Sequence, residues 1–109
     1  MSINQTIKAA LEPIVVVVKP DIYKGNQKEY VVFNYAELPE DFGDNKPNAI
    51  RYLIQLHWFL PSDVSPTTKK KQIKNALLNA GFTYPIVTNA TDEDGRHYVL
   101  ECEYVDGDI

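Results

Sequence analysis

Cysteine, methionine and tryptophan occur once each among 109 residues, and the longest apolar run, Ile14 to Val18, is five residues. With Cys102 alone, no intramolecular disulfide can form. Its place in an alternating stretch reads as a small buried hydrophobe in a reducing compartment. The apolar run falls far below the roughly 20 residues a membrane-spanning helix needs. The amino terminus has neither the basic flank nor the long apolar core of a signal peptide, so the chain is expected to be soluble and cytosolic where it is made.

Positive charge is also in deficit, 11 Lys and Arg against 15 Asp and Glu, a formal charge of −4. Affinity for phosphate backbones scales with the cations a surface presents, so a general duplex-binding role is disfavoured and protein partners are favoured. Catalytic signatures are missing as well. The chain has no GxSxG, HExxH, Walker loop or dinucleotide fingerprint, so the expectation is no enzyme and no cofactor. Asp92, Glu93 and Asp94 form the densest acidic cluster, but they lack the alternate-position ligands and terminal glutamate of an EF-hand loop. His57 and His97 lie on different predicted strands without a Glu or Cys at ligand spacing. Each reads as a sheet histidine making one local hydrogen bond.

What is present is a strand around which the rest can be organised. In Ala49–Leu60, Ile50, Tyr52, Ile54, Leu56, Trp58 and Leu60 alternate with Arg51, Leu53, Gln55, His57 and Phe59. One side is wholly apolar and the other mixed, as for a central strand packed on helices behind and partly wet in front. Pro61 stops it. At 44% hydrophobic content the chain can fill one modest core, so residues 1–109 are expected to form one domain.

Ser2 can cap a helix whose apolar side is Ile3, Ile7, Ala10 and Leu11. The β-branched Val15 to Val18, between Pro13 and Pro20, predicts a strand. The turn signal Gly25-Asn26 predicts a hairpin to the next strand, Tyr30 to Tyr35. Glu37 to Asn48 carries two prolines, a glycine and four acidic residues, which predicts a long loop. It is either a solvated connection or an interaction arm, because Phe42 would otherwise be an exposed aromatic. Ser65 as cap and Pro66 at the first helical position open a second helix with Ile73, Ala76, Leu77 and Ala80 buried and Gly81 at its end. Phe82 to Val87, a polar turn over Asn89 to Gly95, and His97 to Val105 make a closing hairpin. Tyr98, Leu100, Cys102 and Tyr104 share one side of the last strand, and Asp106 to Ile109 reads as an acidic tail. The fold class expected is α+β, an antiparallel-rich sheet packed on two helices in the order α-β-β-β-α-β-β.

That order, together with IKAALEPI-VVVVKPDIYKG, EYVVFNYAELPEDFGDNKP, YLIQLHWFLP and KKKQIKNALLNAGFTYP, resembles the tail terminator or tail completion proteins of long-tailed bacteriophages, in particular those of phages and prophages of Gram-positive bacteria. The resemblance covers most of the chain. It implies a structural virion protein, made in the host cytoplasm, that forms a ring, usually a hexamer. The ring ends the tail tube and joins it to the head connector or head-closure protein. DNA would pass through an acidic lumen without specific binding. The family supplies no functional residues that transfer one by one.

The interface candidates therefore come from charge and exposure. Glu37, Glu40, Asp41, Phe42 and Asp44 form one patch, and Lys69, Lys70, Lys71 and Lys74 on the second helix form an opposite one. Without aromatic residues among them, those lysines read first as a solvated helix surface and second as a phosphate-binding patch. Other functions stay open: another neck or head-closure component, told apart by its binding partner; a small nucleic-acid-binding α+β module using the lysine helix; or a small enzyme around His57, His97 and Cys102.

Overall fold

The computed structural model describes residues 1–107. The elements run α1 (Ile3–Leu11), β1 (Val18–Pro20), β2 (Tyr30–Gly43), β3 (Lys46–Leu60), α2 (Thr67–Asn79), β4 (Ile86–Asn89) and β5 (Arg96–Asp106). This is the α+β order expected. The strands form one sheet in the order β1-β2-β3-β5-β4, so the tryptophan strand β3 is central. The sheet is mixed: β1 runs parallel to β2, and the other pairs are antiparallel.

Both helices pack on the same face. Ser2 caps α1 reciprocally, its hydroxyl accepting from the Gln5 N–H at 3.2 Å while the Gln5 side chain accepts from the Ser2 N–H at 2.8 Å. Ile3, Ile7 and Leu11 then fall on one side and are buried. From α2 come Ile73 and Leu77, one turn apart. The sheet contributes Val31 and Phe33, then Ile54, Leu56, Trp58 and Leu60, then Tyr98, Leu100 and Cys102. Each set is one side of its strand, which is the alternation legible in β3 and β5 from the start.

Six expectations need correction. The first strand is shorter and later than Val15 to Val18. After α1 the chain keeps turning, with the N–H groups of Ile14 and Val15 both bonding the Leu11 carbonyl, so Val15 enters the core from a turn. β1 and β2 are parallel and are not joined as a hairpin. Asp21, at φ 65°, reverses the chain and residues 22–29 carry it back, with Gly25 against the Tyr23 ring. A Cβ on Gly25 would lie 2.1 Å from the Tyr23 hydroxyl oxygen, so this approach requires glycine. Ser65 does not cap α2: Pro66 holds the cap position without a side-chain bond, and its carbonyl accepts from the Lys70 N–H at 2.8 Å. The buried ring of Pro66 starts the helix one residue later than the polar cap implied. Phe82 lies in the core against Tyr104 outside any strand, and β4 begins only at Ile86. Of the expected tail, Asp106 belongs to β5, and Asp108 and Ile109 lie outside the described residues.

The sixth correction is the largest. Glu37 to Asn48 is not a loop, because β2 continues to Gly43 and β3 begins at Lys46 around Asp44-Asn45. These two residues have φ 51° and 65°, the positive values a two-residue hairpin turn of the tightest kind demands. Pro39 does not break the strand. The Val31 N–H and the Phe33 carbonyl bond outward, toward Val17 and Asp21, so Tyr35, Glu37 and Pro39, at the same alternation, point their backbones to the same edge, ahead of the positive φ at Asp41. Pro39 is in that series, and its missing N–H is not needed there.

Candidate interaction surface

With both helices behind the sheet, its second face has no layer over it. Across that face Tyr30, Phe59 and His97 stand in register on β2, β3 and β5. Their rings stack at centroid distances of 4.8 and 4.2 Å. His57 joins the row, its Nδ1 3.0 Å from His97 Nε2, so one ring donates the proton that the other accepts. Burial first, and the neighbouring His57 second, hold His97 below the usual histidine range, with Asp92 opposing. The two histidines thus do meet. Cys102 faces the other way, into the core, where burial and then Glu103 push its thiol up to about 12. The three side chains do not form one group.

Farther along, Asn34, Leu53, Gln55, Ile86, Glu101 and Glu103 line an open depression of about 500 Å³. At its edge Arg51 is held by two carboxylates. It donates to Glu40 at 2.8 and 3.1 Å and to Glu103 at 2.8 Å, tying β2, β3 and β5 together. Nothing in the spacing of Glu40, Arg51 and Glu103 announced this cluster. It arises from diagonal neighbours on three strands, which only the register defines.

Beyond the pair Ile50–Asp106, β5 ends, and among the described residues β2 and β3 continue paired only with each other. The result is a two-stranded arm carrying the acidic interface candidates. Leu38 and Phe42 are 44% and 62% exposed. Glu37, Asp41 and Asp44 are exposed and carry no ion pair among the described residues, whereas Glu40 is taken by Arg51. A sequence signal for the arm existed, since Ala36, Leu38, Glu40 and Phe42 continue the two-residue period of the strand before them.

The four lysines of α2 lie on its surface as expected, but three have partners in their own chain. Lys69 is paired with Glu29, which also accepts from the Trp58 indole at 3.1 Å. Lys70 lies 4.4 Å from the centre of the Tyr98 ring and Lys74 5.6 Å from that of Tyr84. Lys71 is the exposed one. The structure thus gathers each sequence-predicted patch on one element without bringing the two patches together. At the β4 edge, Tyr84 and Ile86 are exposed apolar neighbours that sequence reading passed over as strand residues.

No protein family and no curated protein matches the chain. Among the described residues no three His, Cys, Asp or Glu side chains are placed to hold a metal ion, and no helix is long and apolar enough to cross a membrane. Asp92 instead closes its own turn, accepting from the Asp94 N–H at 2.9 Å.

Proposed function

We propose that the chain is a structural subunit of a long-tailed phage virion: a ring-forming tail terminator that ends the tail tube and joins it to the head connector. The observation that carries the reading is the arm, a self-paired hairpin with exposed Leu38 and Phe42 reaching past a small domain whose second sheet face is uncovered. Exposed apolar groups rimmed by charge mark protein–protein contact, and a projecting hairpin is a means of reaching a neighbour. The resemblance of the sequence segments to tail terminators supplies the assembly in which such contacts belong. An acidic chain of net charge −4 also suits a lumen through which DNA slides without specific binding.

Native mass measurement tests this on the full chain, alone and with purified tail tubes and connectors. A closed assembly of about 74 kDa, six times the 12.4 kDa chain, bound to tube ends, is the expected result. A chain that stays monomeric with both partners present overturns the reading. Binding to connectors but not to tubes moves the protein to another neck or head-closure role. The nucleic-acid module gains little from the geometry, because Lys69 is neutralised by Glu29 and the chain as a whole carries a net charge of −4.

A further inference from the structure

Two exposed apolar clusters lie far apart on this chain, and the charges beside them are opposite in sign. On the arm, Leu38 and Phe42 are both exposed residues of β2, with Asp41 and Asp44 close to Phe42 along the chain. At the β4 edge, Ile86 is 70% and Tyr84 57% exposed. Lys74 reaches over Tyr84, and Lys71 lies one turn earlier on the same side of α2.

These clusters cannot meet within one molecule. The register sets Ile86 level with Asn34, through Glu101 and Gln55. Phe42 lies eight residues farther along β2, roughly 26 Å at the rise of a strand, and β4 is three strand spacings, about 14 Å, to the side. We propose that the arm of one chain docks on the β4 edge of a second copy, Phe42 and Leu38 against Tyr84 and Ile86, with Asp41 and Asp44 reaching Lys71 and Lys74. Glu101 stands beside Ile86 on the open sheet face and repels an acidic arm, so Ile86 is met at the strand edge, with Asp41 and Asp44 directed toward α2, where Lys71 and Lys74 lie. Because the two patches differ, the contact is head-to-tail and leaves one free arm and one free edge at each step. The number of copies rests on the ring reading above; the contact does not.

Sedimentation of the full chain tests it, using Phe42→Asp on the arm and Lys71→Glu/Lys74→Glu on the edge. Both alter exposed or half-exposed positions, and unchanged melting temperatures confirm that the variants fold. Each alone is expected to weaken self-association at least about tenfold. Mixed in equal amounts, they retain one intact contact, the arm of the lysine variant on the edge of the Phe42 variant, and should stop at a one-to-one dimer. Asp41→Asn/Asp44→Asn preserves residues that tolerate positive φ, and it should weaken association at low salt and remove its salt dependence. If wild type assembles and Phe42→Asp assembles equally well, the contact is overturned and the ring reading stands. Open, concentration-dependent chains of wild type that Phe42→Asp abolishes, with no closed species on tail tubes, keep the contact and overturn the ring, whereas a wild type that stops at a dimer overturns the head-to-tail contact. A wild type monomeric under all conditions overturns both.

Discussion

Trp58 is fully buried, and its indole N–H is satisfied by Glu29, which Lys69 holds from α2. Replacing it with alanine removes the largest core side chain and a hydrogen bond that links the β1–β2 connection to the sheet. Trp58→Ala is expected to cost roughly 3–5 kcal/mol, read from urea denaturation midpoints; an unchanged midpoint would contradict the packing. Lys69→Glu would set two carboxylates together and destabilise the fold, so charge reversal at the α2 surface belongs at Lys71 and Lys74. Cys102, buried and with its thiol pushed up to about 12, should react with thiol reagents only as the chain unfolds. His97 gives a pH dependence of determinable sign. Its folded pKa lies below the ordinary 6.5, so the unfolded chain binds more protons in that interval. Its contribution is full above pH 6.5 and is lost as pH falls below that value toward the folded one. His97→Gln should flatten this part of the stability profile.

At the level of elements the arm is the feature with most to test. As a hairpin, the N–H groups of Leu38 and Glu40 point to β3, while that of Glu37 points to the open edge. Amide exchange should therefore alternate along this stretch, slow at Leu38 and Glu40 and fast at Glu37. A loop would exchange uniformly fast. The turn residues Asp44 and Asn45 both hold positive φ, so Asn45→Ala should cost about 1 kcal/mol of stability, since alanine lacks the local tolerance of asparagine for this region. The alternation of Ala36, Leu38, Glu40 and Phe42 was visible in the chain, but Pro39, Gly43 and the acidic residues outweighed it. What made a strand possible there was the neighbour: β3 offers partners to every inward-facing amide of β2 as far as the turn. Pro39 happens to face the edge where no partner waits.

The whole molecule is longer than its residue count requires, 54 × 26 × 23 Å with a Cα radius of gyration of 14.9 Å. A compact chain of this size has a radius near 13 Å. The arm accounts for the excess, because among the described residues no strand but its own second strand is paired with it beyond Ile50. Replacing residues 41–48 by a two-residue turn, which keeps Glu40 opposite Ala49, should bring the X-ray scattering radius of the monomer down toward the compact value. The melting temperature should change little, because the buried cluster of α1, α2 and the sheet lies away from the arm. If that deletion unfolded the protein, the arm would be part of the core structure and not a surface built to reach outward.

Much of this architecture was determined by the sequence by itself, because local chemistry was sufficient. The Ser2–Gln5 cap and the four-residue spacing of Ile3, Ile7 and Leu11 specify α1, and strict alternation from Ile50 to Leu60 specifies the central strand and the side that it buries. The element order and the α+β class follow from such local patterns. Tertiary structure alone decided which strands are neighbours. The parallel placement of β1, the extension of β2 through a proline-bearing acidic stretch, the meeting of His57 with His97 and the Glu40–Arg51–Glu103 cluster all depend on register between distant segments. In each case the deciding interaction is a hydrogen bond or ion pair across strands, and its partner lies too far along the chain for composition or periodicity to name it.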